Sequence, residues 1–455
     1  MEGNAMSGGA ESIGAGDTGW VGQALNGPGQ WTLRSRIPYV LGFMMLFDSW
    51  DSVVIAYTLP SIMAEWRLSA LEAGWLISAG YGGQFLGAIL FGSLAERKGR
   101  LPVLRPLVVV MSVLAIACSF AGDYTQLIVI RLIQGLAIGG ALPVTICYIN
   151  EIAPTATRGR FFGTYQFLML AGFGLAAMSS AWIVPEYGWR LMFALGGIPL
   201  LCVAFLYFIP ESPRWLSGQG RDADAAAALA RLGSAEAAPP AEGPGSKPAV
   251  APKVPIGDLF APGVRRKSAV TATLWFLTSL VSFGLVTWVP SIYVEIFAIP
   301  VEKALSYNSI AAVSIFFLPI LLRQTIDRTG RRPPAIIGTA IGGVALLAML
   351  AVPAEAWVLV IALLIVGQVG ISVSSMILWP YTAEIYETRI RSVALGAASS
   401  LARGASMLTP LVVGGVLHAT GSITLVFLIF GTSALIVSLL WWRGTQETAG
   451  REMGA

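Results

Sequence analysis

The sequence predicts an all-α membrane protein, with twelve transmembrane helices in two pseudo-symmetric six-helix bundles. Three observations carry that prediction. Of 455 residues, 55% are hydrophobic and only 12% are charged, about half the ~25% charge of an ordinary soluble domain. Apolar runs of about 20 residues recur along nearly the whole chain, the length a helix needs to cross ~30 Å of hydrocarbon. The chain also repeats itself: Gly92-Ser-Leu-Ala-Glu-Arg-Lys-Gly-Arg-Leu-Pro102 returns as Arg323-Gln-Thr-Ile-Asp-Arg-Thr-Gly-Arg-Arg-Pro333, and Tyr148-Ile-Asn-Glu151 returns as Tyr381-Thr-Ala-Glu384. Two matches at nearly equal offsets imply duplicated halves.

Residues 1–36 are Gly-rich and polar and read as a disordered cytoplasmic tail, with no cleavable signal peptide. Breaks in the apolar pattern then place six spans at about 37–60, 72–95, 102–122, 124–149, 161–185 and 191–209, making residues 37–216 the first bundle. Ala-, Pro- and Lys/Arg-containing sequence over 217–265 reads as a cytoplasmic linker with one short amphipathic helix. Spans at about 268–294, 305–322, 334–353, 357–382, 393–418 and 421–442 form the second bundle, residues 266–442, and 443–455 are a cytoplasmic tail. The 51 glycines suit close helix packing in lipid, where small residues let backbones approach.

Charge placement sets the orientation. With both termini cytoplasmic, all Lys and Arg fall on cytoplasmic segments except Arg67, Arg190 and Lys303 outside and Arg131 and Arg403 within spans, as the positive-inside rule requires. These scattered charges do not make a nucleic-acid surface. Cys118, Cys147 and Cys202 lie in apolar segments without metal-ligand spacing, so neither disulfide nor metal is expected. No nucleophile–base pair or phosphate loop suggests an enzyme or an ATP-driven pump, and no cofactor is implied.

The loop after span two resembles the major facilitator signature G-x-L-A-D-R-x-G-R-[RK], with Glu96 where Asp is usual and Arg323 in place of the glycine that opens the second copy. Pro210-Glu-Ser-Pro-Arg-Trp-Leu216 is similar to a segment of the sugar-porter and organic-ion branches. The resemblance implies a secondary transporter working by alternating access, with cargo bound between the halves near the membrane midplane. Glu96, Arg97, Arg100, Glu151 and Arg158, repeated as Asp327, Arg328, Glu384 and Arg391, are candidates for a charge latch holding the halves shut on the cytoplasmic side. The alternative is that they only fix topology and snorkel.

Ionisable groups at bilayer depth are retained only with a partner or a purpose. In Phe47-Asp48-Ser-Trp-Asp51 the carboxylates are three residues apart, share a helical face, and should both face the central cavity. Crowding them there favours holding a proton near neutral pH; the alternative is a structural hydrogen-bonding role. This D-x-x-D element resembles that of aromatic-acid:proton symporters, with Ser49 in place of their glycine, and of bacterial nicotinate transporters.

In Leu401-Ala-Arg403-Gly-Ala-Ser-Met-Leu-Thr-Pro410 a guanidinium that cannot lose its proton sits within an apolar span. The segment resembles the Arg-x-Gly-x-[IVL]-x-x-P pattern of organic-anion members, which implies that Arg403 contacts cargo; a planar fork can clamp a carboxylate through two hydrogen bonds. The alternative is a structural pair with Asp48 or Asp51. Candidates for the rest of a pocket are Tyr81, Gln84, Tyr148, Tyr165, Gln166, Trp275, Phe283, Trp288, Trp379 and Tyr381, each of which core packing would equally explain. Arg131, in Arg131-Leu-Ile-Gln-Gly135-Leu-Ala-Ile-Gly139, suits a structural or proton-relay role, and His418 a solvated one.

Together these readings give a proton-coupled importer of a small aromatic monocarboxylate, nicotinate or hydroxybenzoate-like. It would sit in a bacterial-type inner membrane and function as a monomer, with a small organic anion, protons and the bilayer as its partners. A carrier of sugars, polyols or organic cations remains open, as does a transporter-like metabolite sensor.

Overall fold

The computed structural model describes residues 19–27, 32–234, 255–353 and 355–448. After a short α1 (Trp20–Asn26), the first half consists of α2 (Thr32–Trp66), α3 (Ala70–Lys98), α4 (Arg100–Ser119), α5 (Tyr124–Ile152), α6 (Arg158–Tyr187) and the pair α7 (Trp189–Leu195) and α8 (Pro199–Phe208). Two short helices follow, α9 (Pro213–Gly218) and α10 (Asp222–Leu232). The second half consists of α11 (Arg265–Ser291), α12 (Val301–Thr329), α13 (Arg332–Ala348), α14 (Trp357–Ile385), α15 (Thr388–Thr420) and α16 (Thr424–Arg443). Among the described residues there is no strand. Eleven of the twelve passages are long and apolar enough to cross a membrane. The exception is α3, whose six glycines and Gln84 dilute its hydropathy; it is packed among the others all the same.

Three features differ from the sequence reading. Within the tail read as disordered, residues 20–26 are helical because they have somewhere to dock. Leu25 is fully buried, Asn26 Oδ1 accepts from Thr155 N and Oγ1, and the buried Arg34 donates to Leu25 O and Ile152 O, both at 2.7 Å. Span six is not one helix: α7 ends at Gly196-Gly197, and Pro199, which has no N–H to continue a ladder, begins α8. Across the boundary set at 216 runs a further short helix, α9, ahead of α10, the one helix read in the linker, which buries Ala225, Ala228, Leu229 and Leu232; residues 235–254 of the linker, like 1–18, 28–31 and 449–455 of the tails, lie outside the described residues.

The duplication is visible in the turns. Gly99 (φ 104°) and Gly330 (φ 85°) end α3 and α12 in backbone that side chains rarely adopt. Each is followed by a helix whose first N–H groups point at a carboxylate: Glu211 Oε2 accepts from Leu101 N at 2.9 Å, and Glu447 accepts from Arg331 N and Arg332 N at 2.9 and 3.0 Å. Negative charge at a helix N-terminus is favourable, which gives Pro210-Glu-Ser-Pro-Arg a structural reason independent of cargo.

With an even number of passages, both termini share one face, here called the terminal face. The halves meet toward the opposite, far face: Gly74 lies against Pro410 O and Gly414, and Ser309 Oγ donates to Ala177 O at 2.7 Å. Within the first half, α3 and α5 come close enough that a Cβ at Gly139 would stand 2.0 Å from Gln84 O, and one at Gly87 2.0 Å from Leu136 O. Backbone there cannot yield as a flexible side chain would, so Gly139→Val should lower the melting temperature of purified protein by several degrees or prevent folding, given that overpacking costs ~1–3 kcal/mol. Gly163→Ala, with nothing within 4 Å, should leave it unchanged.

Candidate functional site

A cavity of about 460 Å³ lies between the halves, bounded by α2, α3, α5 and α6 on one side and α11, α12, α14 and α15 on the other. Arg403, half-buried midway along α15, lines it. Its side chain makes no hydrogen bond or ion pair of 4.0 Å or less among the described residues, although Asp48 on α2 is near enough for the two charges to interact. Asp48 also lines the cavity, is 5% exposed, and its Oδ1 has no hydrogen-bond partner among the described residues. The site therefore holds one fixed cation and one carboxyl group that can bind or release a proton.

Of the other predicted pocket residues, Tyr81, Gln84, Trp275, Phe283 and Trp379 line the cavity. Tyr81 donates to Ser52 O at 3.1 Å and meets Phe283 edge to face at 5.5 Å between centroids. Trp275 donates to Thr382 Oγ1 at 3.0 Å and packs against Trp379 at 4.8 Å. These contacts stiffen an aromatic wall across both halves.

The remaining candidates point elsewhere. Tyr148 is buried inside the first half with its hydroxyl on Pro210 O at 2.6 Å. Tyr165 packs on Phe162 in the same core, and Gln166 beside it is half-buried and outside the lining. Trp288 is a core residue, and Tyr381 stacks edge-on against Trp441 at 4.8 Å. None of them lines the cavity, and Tyr148, Trp288 and Tyr381 lie within about one turn of the ends of their helices.

Asp51 is the principal correction. It does not share the cavity with Asp48: fully buried, it faces Gly196 on α7, where an added Cβ would stand 2.2 Å from Asp51 Oδ1. A three-residue step turns a side chain ~60° around a helix, enough to carry it past the contact of α2 with its neighbours. Beneath it sits Arg131, 2% exposed, donating to Asp51 O at 3.2 Å and Gln134 Oε1 at 2.8 Å. The carboxylate oxygens have no hydrogen-bond partner among the described residues, but the guanidinium is near enough for the two charges to interact inside the first half.

Sequence reasoning missed Tyr57, Asn308, Gln368 and Ser372, all on the cavity wall. The signal was present for two of them, since an amide in mid-span needs a reason much as a charge does.

The candidate latch residues gather at the terminal face. Arg100 Nη2 pairs with Glu151 at 2.6 Å, and Arg331 Nη2 with Glu384 at 2.9 Å. Both pairs join helices of the same half, so as described they brace each bundle internally and do not bridge the two. Arg331, not among the candidates, is the counterpart of Arg100, as Arg328 is of Arg97; the repeat offset of the two loops already pointed to it. Glu96, Arg97 and Arg328 are exposed, Arg158 is half-buried, and Arg391 Nε reaches Tyr386 O at 3.4 Å. The side chains of Asp327 and Arg323 lie outside the described ones.

The family profile described as Major Facilitator Superfamily matches residues 41–410 and 325–452. The chain is similar to the niacin transporter NiaP of Acinetobacter baylyi, 29% identical over 91% of this chain and 94% of that one. It is also similar to the gallate transporter of Pseudomonas putida, 29% identical over 88% and 89%. Among solved structures, a partially occluded inward-open form of the xylose transporter XylE from E. coli superposes with a TM-score of 0.71 at 21% identity, covering 92% of this chain and 99% of that one. At that identity the likeness concerns the fold alone.

The cluster at Asp51 makes a prediction independent of cargo. Removing one partner of a buried charge pair strands the other, at about 3 kcal/mol or more. Arg131→Met should therefore lower the melting temperature markedly, and Asp51→Asn added to it should restore part of the loss; additive losses in a double-mutant cycle would show that the two charges are not coupled.

Proposed function

Because the chain belongs to the Major Facilitator Superfamily, we propose that it imports a small aromatic monocarboxylate together with protons, by alternating access. The observation that carries the reading is Arg403 on the cavity wall without a protein partner at bonding distance. A guanidinium there stays charged, attracts an anion, and can hold a carboxylate through two parallel hydrogen bonds. The flat faces of Trp275, Trp379, Tyr81 and Phe283 suit a ring, and the volume of about 460 Å³ falls within the range of small-molecule sites. The names of the relatives, carriers of niacin and of gallate, both ring-bearing acids, support the same class. An organic cation would meet the charge of Arg403, and a neutral sugar would leave it unanswered.

The chain is a multi-pass membrane protein, and the distribution of Lys and Arg supports placing the terminal face in the cytoplasm of a bacterial-type inner membrane. Contact of the halves at the far face then makes the described state the one that receives or releases cargo inside. Each subunit contains a whole cavity, which supports function as a monomer. Asp48 in the cavity and Asp51 in its buried cluster are the groups proposed to carry protons. Protonation of Asp48 removes the negative charge facing Arg403 and leaves the guanidinium to the cargo, which couples the two bindings.

In proteoliposomes, Arg403→Ala should weaken cargo binding about 10- to 100-fold, as for loss of hydrogen bonds to a charged group, without lowering the melting temperature; near-normal uptake would remove Arg403 from the mechanism. An outside-acidic pH gradient should drive accumulation by the wild type. Asp48→Asn should still exchange labelled cargo across the membrane while no longer accumulating it in response to the gradient, and accumulation that persists in both Asp48→Asn and Asp51→Asn would place the proton elsewhere.

A further inference from the structure

Resting on the aromatic-acid reading, we infer that the cavity selects acids bearing a hydrogen-bond donor on the ring, such as a hydroxyl remote from the carboxylate, with the side-chain carbonyls of Gln368 and Asn308 as its acceptors. Gln368 on α14 is 4% exposed and Asn308 on α12 is 3% exposed, and both line the cavity. Gln368 Oε1 and Asn308 Oδ1 have no hydrogen-bond partner among the described residues. Buried carbonyl oxygens are rarely left so, because losing water without gaining a donor is unfavourable.

The Tyr57 hydroxyl stands within hydrogen-bonding reach of the Asn308 amide, but at Gln368 the neighbouring polar groups do not meet that need. Ser282 and Ser375 hydrogen-bond each other at 3.0 Å, Ser372 Oγ donates to Gln368 O at 2.7 Å, and the Trp275 and Tyr81 donors are directed to Thr382 and Ser52. Rotating the Gln368 amide exchanges its nitrogen and oxygen but leaves one carbonyl oxygen to be matched. A pyridine nitrogen only accepts and cannot match it; a phenolic hydroxyl can.

The depth is also suitable. Counting along α12, α14 and α15 from their far-face ends at ~1.5 Å per residue, Gln368 lies about 9 Å and Asn308 about 15 Å nearer the far face than Arg403. A ring whose carboxylate is held by Arg403 and whose long axis points toward the far face therefore presents its remote edge to Gln368 first. Asn308 stands beyond it, at the end of the cavity.

Equilibrium binding of benzoate, 3- and 4-hydroxybenzoate, 4-methoxybenzoate and nicotinate to the purified wild-type protein tests this. One of the hydroxybenzoates should bind about fivefold or more tighter than benzoate, nicotinate and the methoxy compound, which has the oxygen but no donor; that factor is what one neutral hydrogen bond provides. In Gln368→Met or Asn308→Leu the ratio of hydroxybenzoate to benzoate affinity should fall toward one. Equal wild-type affinities across the series would overturn the inference even if neither variant folds, as would an unchanged ratio in both folded variants. That outcome leaves the aromatic-acid reading standing, whereas a wild-type protein that binds none of the five would overturn both.

Discussion

A permanent positive charge midway along an apolar helix is the constraint around which the rest is arranged. Arg403 cannot discard its proton, so the surroundings must supply negative charge, water or both at a depth where each is scarce. Asp48 interacts with it across the cavity but makes no close ion pair. A tighter internal pair would compete with any anionic ligand. The aromatic walls, braced by Tyr81–Phe283 and Trp275–Trp379, keep the space shaped while its charge is partly unanswered.

The two arginines within the spans are treated in opposite ways. Arg131 is enclosed by Asp51, Gln134 and backbone oxygen and belongs to the interior of one bundle. Arg403 opens onto the gap between bundles. The same chemical group is structural in one setting and available for binding in the other, and only its surroundings distinguish them. The duplicated turns show a similar division: Gly99 with Glu211 and Gly330 with Glu447 are built alike in the two halves, whereas the cavity walls are not, since Asp48 comes from one half and Arg403 from the other.

How much of this was legible in the sequence follows from what periodicity encodes. Hydropathy gives depth, so the spans and the repeated loops could be read, and Arg403 could be singled out because no other residue explains a charge there. Azimuth is less well encoded. Tyr148, Trp288 and Tyr381 are buried within the protein near the ends of their helices, because an aromatic ring fills a helix interface as readily as a pocket. Asp48 and Asp51 were read as one pair facing the cavity; they remain near enough for their charges to interact, but only Asp48 lines the cavity, because Asp51 turns toward Gly196. The break in span six was written in Gly196-Gly197 and Pro199, three residues inside an otherwise apolar run. Tyr57, Asn308 and Gln368 carry no comparable mark, since a neutral polar side chain can be satisfied at a helix interface as well as on a cavity wall.

The small helix at the start of the chain has a consequence for the order of assembly. Its seat is made by the end of α5, by Thr155, and by α9 and α10, with Ser234 Oγ reaching Ala24 O at 3.4 Å. All of these are synthesised long after Trp20–Asn26 has left the ribosome. The earliest described segment to emerge is thus among the last of its half to find its place, and it waits until some two hundred further residues have been made. Docked there, with Arg34 sealed beneath it, it closes the first bundle as a latecomer to a structure it preceded.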